Sequence, residues 1–351
     1  MIESANELTH TSTDLTKVAF DPELTPGAHN AVYTCLRIEP SEKVTLITDD
    51  ACREIAASIA HELAELGSPF KSFVMEELAA RPLTHLPPEI AEDMETSEVS
   101  IFAVRVQRNE LKSRMEMTDI VNRRRMRHAH MVNINRQIML EGMRADYKKV
   151  DALSRKVTEI VSKAKEIRAT NPAGSDFTAK LNPNYRWVKT SGIISRDKWG
   201  NLPGGETFTT PGEVNGVCVV DGVVGDYLCE KYQDLARQPL TIRIDKNRIT
   251  SIASDNKELE QEFWAYTHTD ENSDAVGEFA IGTNIELDHV IGQILQDEKF
   301  PGVHIAFGNP YGAHTGADWY SSTHIDVVGT HFDIWVDGRQ IMEKGRFLIE
   351  A

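Results

Sequence analysis

The chain reads as α/β plus α+β: an N-terminal half built as a doubly wound parallel sheet, then a turn-rich, mostly antiparallel half. Three observations predict this. Up to about residue 169, strand-length apolar runs alternate with stretches of helical period. From residue 170 onward, Gly, Pro, Asn and Asp crowd between short β-branched runs. The 351 residues also exceed the roughly 100–200 of one ordinary domain, which predicts an α/β domain over 1–169 and a second domain over 170–351.

The elements follow in order. Residues 43–49 are a β-branched strand ending in acidic turn residues. Residues 51–66 place Ile55, Ile59, Leu63 and Leu66 at a spacing of three to four, which predicts a helix that Gly67 and Pro69 stop. Strands are expected at 70–75 and at 99–105, the latter near-continuously apolar, as suits a strand covered on both faces. Another is expected at 128–132, then a long helix from about 143 to 164 and a fifth strand at 166–169. Beyond 170, short β-type runs recur at 217–220, 240–244, 249–252, 304–307, 325–328 and 332–336. No GxGxxG follows the first strand, so the α/β half carries no dinucleotide fingerprint.

Composition narrows the function. Acidic residues outnumber basic ones 54 to 38, for a formal charge of -16. Such a surface repels phosphate backbones and anionic lipids, so neither nucleic acid nor membrane is an expected partner, whereas divalent cations are. The opening stretch, MIESANELTHTSTD, has no basic or apolar leader segment, and no apolar run approaches the ~20 residues that span a bilayer. A cytoplasmic location is expected. Cys35, Cys52, Cys218 and Cys229 form no CxxC pair and read as buried, reduced thiols. The basic run at 122–127 reads as a solvated helix face with ion pairs, and His128 and His130 as structural histidines without a carboxylate partner.

Six of the twelve histidines fall after position 260, several beside acidic residues in glycine-rich turns. His324 and Asp326, at i and i+2 on an expected strand, project to one face and could share a cation. Glu206 and Glu278 each follow a glycine, which lets backbone approach a site closely. Imidazoles and carboxylates together suit Zn, Mn, Co or Fe(II) better than an oxygen-only calcium site.

Residues 170–351 resemble the M29 metallopeptidases, the thermophilic-type leucyl aminopeptidases. The resemblance rests on ordered stretches: Asn171-Pro-Ala-Gly-Ser-Asp176, Gly200-Asn-Leu-Pro-Gly-Gly-Glu206, Val214-Asn-Gly-Val-Cys-Val-Val-Asp-Gly222, Gly277-Glu278-Phe-Ala-Ile-Gly282, Asp297-Glu298, His304-Ile-Ala-Phe-Gly308 with Tyr311, and His324-Ile-Asp326. It implies two divalent ions, Zn, Co or Mn, held by Glu206, Glu278, His304, His324 and Asp326, with Tyr311 beside them and Glu298 as a further neighbour. Two cations roughly 3.5–4 Å apart, bridged by a carboxylate, can activate a water for attack on an amide carbonyl. Glu278 is the implied bridge, Tyr311 an oxyanion donor, and Glu298 or Glu206 the carrier of a proton to the leaving amine. The implied substrate is a short peptide or related small amide, and the implied assembly a homodimer. His128, His130, His289 and His331 fall on no motif position and are not expected ligands; His314, in the loop after Tyr311, could reach substrate.

The same half is similar to the 2,5-dihydroxypyridine 5,6-dioxygenases, which hold one Fe(II) through two histidines and a carboxylate. His324 and Asp326 suit both families. Glu278 stands where the dioxygenases have a histidine, and Glu206 where they have an apolar residue, so the chain keeps the carboxylates of a dinuclear hydrolase and departs there from a ring-cleaving iron site. An Fe(II)-dependent ring-cleaving oxygenase acting on a hydroxylated pyridine is the alternative expectation.

Overall fold

The computed structural model describes residues 12–349. Most of the polar opening stretch therefore lies outside the described residues. The fold is mixed α/β, with one parallel sheet and two antiparallel sheets. Contacts group the described residues into two compact units, one running up to residue 144 with 193–202, the other 145–192 with the residues from 203 onward.

In the first unit the strands Phe70–Val74, Val44–Thr48, Val99–Val104, Arg127–Val132 and Gly200–Asn201 lie side by side in that order, all parallel. Val44–Thr48 and Val99–Val104 are buried at every position, which explains their largely apolar sequences, broken only by the small hydroxyl residues Thr45, Thr48 and Ser100. The helix Arg53–Leu66 ends on Gly67, whose φ of 77° stops it as the sequence predicts. The basic run closes the helix Leu111–Arg124 and is laced by ion pairs: Arg123 with Glu95, Arg125 with Asp197 and Arg127 with Glu42. His128 and His130 are buried and structural. Ser100 bonds His128 Nδ1 at 2.8 Å, and His128 Nε2 meets His130 Nδ1 at 3.0 Å.

The second unit opens with the helix Tyr147–Val161, whose capping Asp146 accepts from the backbone N–H of Lys148. The strand that follows, Glu166–Thr170, does not extend the parallel sheet as expected. It pairs antiparallel with Asp176–Leu181 and Asp333–Val336 in an eight-stranded sheet. Its sequence carries the reason, since buried Ile167 and Ala169 alternate with exposed Glu166 and Arg168, a period of two that marks a one-sided strand. A five-stranded antiparallel sheet places His324–Val328, Gly302–Gly308, Val276–Gly282, Glu206–Thr209 and Val188–Thr190 side by side in that order. One face of it carries Phe279, Ile281, Val303, Ile305, Phe307, Ile325 and Val327 into the unit's main core, which the helix Tyr147–Val161 joins through Leu153 and Val157. All four cysteines are buried free thiols. Among the described residues no helix is long and apolar enough to cross a membrane.

Candidate metal centre

The other face of that five-stranded sheet gathers the charged residues. Cross-strand partners share a face, so the register predicts which side chains meet. Glu206 lies opposite Gly282, Phe208 and His304 flank Ala280, and Ala306 separates Glu278 from Asp326. His324 lies opposite Gly308, two residues from Asp326 on the same face. Gly282, Ala280, Gly302 and Ala306 fill the positions between the polar side chains, so no bulk stands among them.

One local irregularity makes this possible. Val276 pairs with Phe307 and belongs to the core, yet Glu278, two residues on, pairs with Ala306 and faces the site. A β-bulge at Gly277 inserts the extra residue that reverses the alternation. Only glycine fits there, because a Cβ would lie 2.0 Å from the Gly308 carbonyl oxygen.

The side chains form two donor clusters that share one member. Glu206, Glu278 and His304 make the first, and Glu278, His324 and Asp326 the second. His304 Nε2 lies 3.4 Å from both Glu206 Oε2 and Glu278 Oε1. His324 Nε2 lies 3.8 Å from Glu278 Oε2 and 3.5 Å from Asp326 Oδ1. Glu278 thus turns one oxygen to each histidine. The Asn309 carbonyl, which can only accept, lies 2.9 Å from His324 Nδ1; that nitrogen carries a proton, so Nε2 is the nitrogen turned to the carboxylates and the one a cation would take on displacing its proton. Imidazoles and carboxylates in clusters of three, one cluster buried and the other partly so, suit a transition-metal ion.

Burial and crowding set the charges. Burial pushes the Glu278 carboxyl up. Burial opposes charge on His324, but Asp326 overcomes it and lifts the imidazole to about 10. Asp326 is held down at about 2 against its burial, chiefly by His324. Burial lifts Glu298 to about 8. Glu206 goes the other way: although buried, it is lowered by the Lys299 ammonium and His304. Tyr311 is 43% exposed as a residue, yet desolvation of its hydroxyl and the charges of Asp326 and Glu278 hold it protonated. Its ring lies 4.4 Å from that of His324 and packs edge-on against Phe208.

The structure thus brings Glu206, Glu278, His304, His324 and Asp326 together, with Tyr311 and Glu298 beside them. Asp297, named with Glu298 in the sequence motif, does something else. Its carboxylate accepts from the backbone N–H of Ile291 and Gln293 and ties that loop shut. Sequence reasoning passed over Lys299, which is buried and lies 2.6 Å from Glu206 Oε1 and 2.5 Å from Glu298 Oε1. It also passed over Thr190, whose hydroxyl donates to Glu206 Oε1 at 2.8 Å, and over Phe208. Phe208 was within reach, being two residues beyond Glu206 on a strand. His314 sits in the short helix Gly312–Thr315, with its carbonyl accepting from Arg186 Nε.

A family model described as NicX, 2,5-dihydroxypyridine 5,6-dioxygenase, matches residues 27–349. Two solved structures share the fold. The 2,5-dihydroxypyridine dioxygenase from Pseudomonas putida KT2440 is 15% identical, with a TM-score of 0.67 over 93% of this chain and 97% of that one. Wild-type AmpT from Thermus thermophilus is 16% identical, with a TM-score of 0.67 over 94% of this chain and 100% of that one. The fold is therefore shared with both across nearly the whole chain. No curated protein matches by sequence.

Proposed function

The chain belongs to the NicX family, and within it we propose a metal-dependent hydrolase of the M29 aminopeptidase type, cleaving an N-terminal peptide bond or a related small amide. One observation carries this reading: among the described residues, neither donor cluster contains two histidines, and Glu278 belongs to both clusters. A mononuclear iron oxygenase site wants two imidazoles and one carboxylate, with open positions for oxygen and substrate. Here each cluster has one imidazole and two carboxylates, the donor set of two adjacent dications sharing a bridge. Bound there, Zn, Co or Mn would supply Lewis acidity toward the amide carbonyl and a lowered pKa for water.

The chain's own groups divide the remaining work. Glu278 offers an oxygen to each side and stands between the clusters. Tyr311, held protonated, donates from its hydroxyl to oxygen charge developing on the carbonyl. Glu298 is the better proton carrier of the two glutamates considered, because burial lifts it to about 8 while Glu206 is held ionised by Lys299. Phe208 and the Tyr311 ring offer an apolar wall to a side chain.

The oxygenase reading keeps one specific support, the description of the matching family model. The two are separated by metal analysis of protein purified without chelator, alongside hydrolysis of an aminoacyl anilide panel and oxygen uptake with 2,5-dihydroxypyridine. Near two equivalents of Zn, Co or Mn with anilide cleavage is expected. One equivalent of iron, oxygen uptake and no amide hydrolysis would overturn the proposal.

A further inference from the structure

Lys299 is the one lysine or arginine in ion-pair contact with the candidate centre among the described residues, and it touches only one side of it. Its ammonium pairs with Glu206 Oε1 at 2.6 Å and with Glu298 Oε1 at 2.5 Å. Thr190 donates to the same Glu206 oxygen. Glu206 Oε1 is thereby committed, and only Oε2, the oxygen facing His304, is left for a cation. On the other side, the ion-pair partners of Glu278 and Asp326 are histidines. Lys299 is placed firmly: Gly282 lacks the Cβ that would lie 1.9 Å from the Phe300 carbonyl, so the 299–300 backbone lies directly against the sheet. The Asn284 N–H also bonds the Lys299 carbonyl at 3.0 Å.

We infer that Lys299 makes the Glu206–Glu278–His304 cluster the weaker, exchangeable seat for a divalent cation, and leaves the Glu278–His324–Asp326 cluster as the tight one. The inference rests on the dinuclear reading above. A fixed ammonium repels an incoming dication and withholds a carboxylate oxygen from it, and both effects are strong where water is excluded. The second cluster meets neither obstacle. Lys299 is thus a positioning residue that acts through Glu206 and is not itself a metal ligand.

The test is a metal titration of the full chain, stripped by chelator and reloaded with Co(II) or Mn(II). Bound metal is counted by elemental analysis, and affinities are read by competition with a fluorescent chelator. Wild type should take two equivalents, the second at least tenfold more weakly. His304→Ala should abolish the weak step and keep the tight one, and Asp326→Asn should do the reverse. Lys299→Met should tighten the weak step at least tenfold, while Lys299→Arg should keep the wild-type gap. Should Lys299→Met fail to fold, the His304 and Asp326 variants still assign the seats. Two equal constants in wild type, or loss of the tight step in His304→Ala, overturns the inference and leaves the dinuclear reading standing. Saturation at one equivalent overturns both.

Discussion

Gly277 and Gly308 meet backbone to backbone: the Gly308 carbonyl oxygen stands 2.0 Å from where a Cβ on residue 277 would be. That contact seats the bulge which turns Glu278 away from the core and toward His324. Gly277→Ala should therefore act twice. The clash involves main chain on both sides and cannot be relieved by a rotamer, so about 1–3 kcal/mol of stability is lost. Metal content should fall as well, because Glu278 is displaced. Thermal unfolding with metal analysis checks both, and a stable variant with full metal content would contradict the role given to the bulge.

Glu278→Gln keeps the shape of the shared ligand and removes its charge. Two dications side by side then lose the anion between them. At least one metal equivalent and nearly all amide hydrolysis should disappear, with circular dichroism unchanged. Glu278→His is the complementary variant, placing a second imidazole beside His324 and Asp326. It should bind one Fe(II) per chain, counted by elemental analysis, and should not hydrolyse the anilides.

Acid should weaken the parallel-sheet unit before the carboxylates titrate. Burial lowers His128 to about 3 and depresses His130 as well, with the charge of Arg114 adding to the latter. The unfolded histidines accept protons below about 6.5 and the folded ones resist. Stability is thus lost as pH falls through 6.5 and continues to fall toward 3, by about 1.4 kcal/mol per pH unit for each histidine. Denaturant midpoints between pH 7 and 4.5 should show the slope. His128→Gln, which keeps a partner for Ser100, should reduce it.

Arg81 is the charge that unit can least spare. Its guanidinium is buried and bonds Asp49 at 2.7 Å, Glu110 at 2.6 Å and Glu76 at 3.0 Å. Arg81→Met would leave Asp49 and Glu110 buried without their cation, at a cost of about 3–5 kcal/mol. Urea unfolding measures the loss. A shift under 1 kcal/mol would mean that the cluster relaxes into water.

The fold and the site were legible to different depths. Where a strand is covered on both faces, as at Val99–Val104, its near-continuous apolar run announces it. His324 and Asp326 were legible because they obey the plain two-residue alternation. Glu278 and Val276 break that alternation, and a bulge leaves no periodic trace; only the resemblance pointed to Glu278. Lys299 was hidden for another reason: it reaches Glu206 across 93 positions of sequence, from a turn in which no periodicity operates. The strand Glu166–Thr170 was found but given to the wrong sheet, although its exposed Glu166 and Arg168 already marked a one-sided strand.

The small residues beneath the candidate centre separate two properties of the protein. Gly282, Ala280, Gly302 and Ala306 lie among the charged positions and hold no ligand themselves. They leave room for the charged side chains to lean together, and Gly282 lets the 299–300 backbone lie against the sheet, while the glutamates, histidines and Asp326 supply the donor atoms. A larger side chain at Ala280, which is fully buried against Val188 and Phe208, would therefore push the donor side chains apart without altering any donor atom. The spacing of the donors and their chemical identity are thus set by different positions on the same strands.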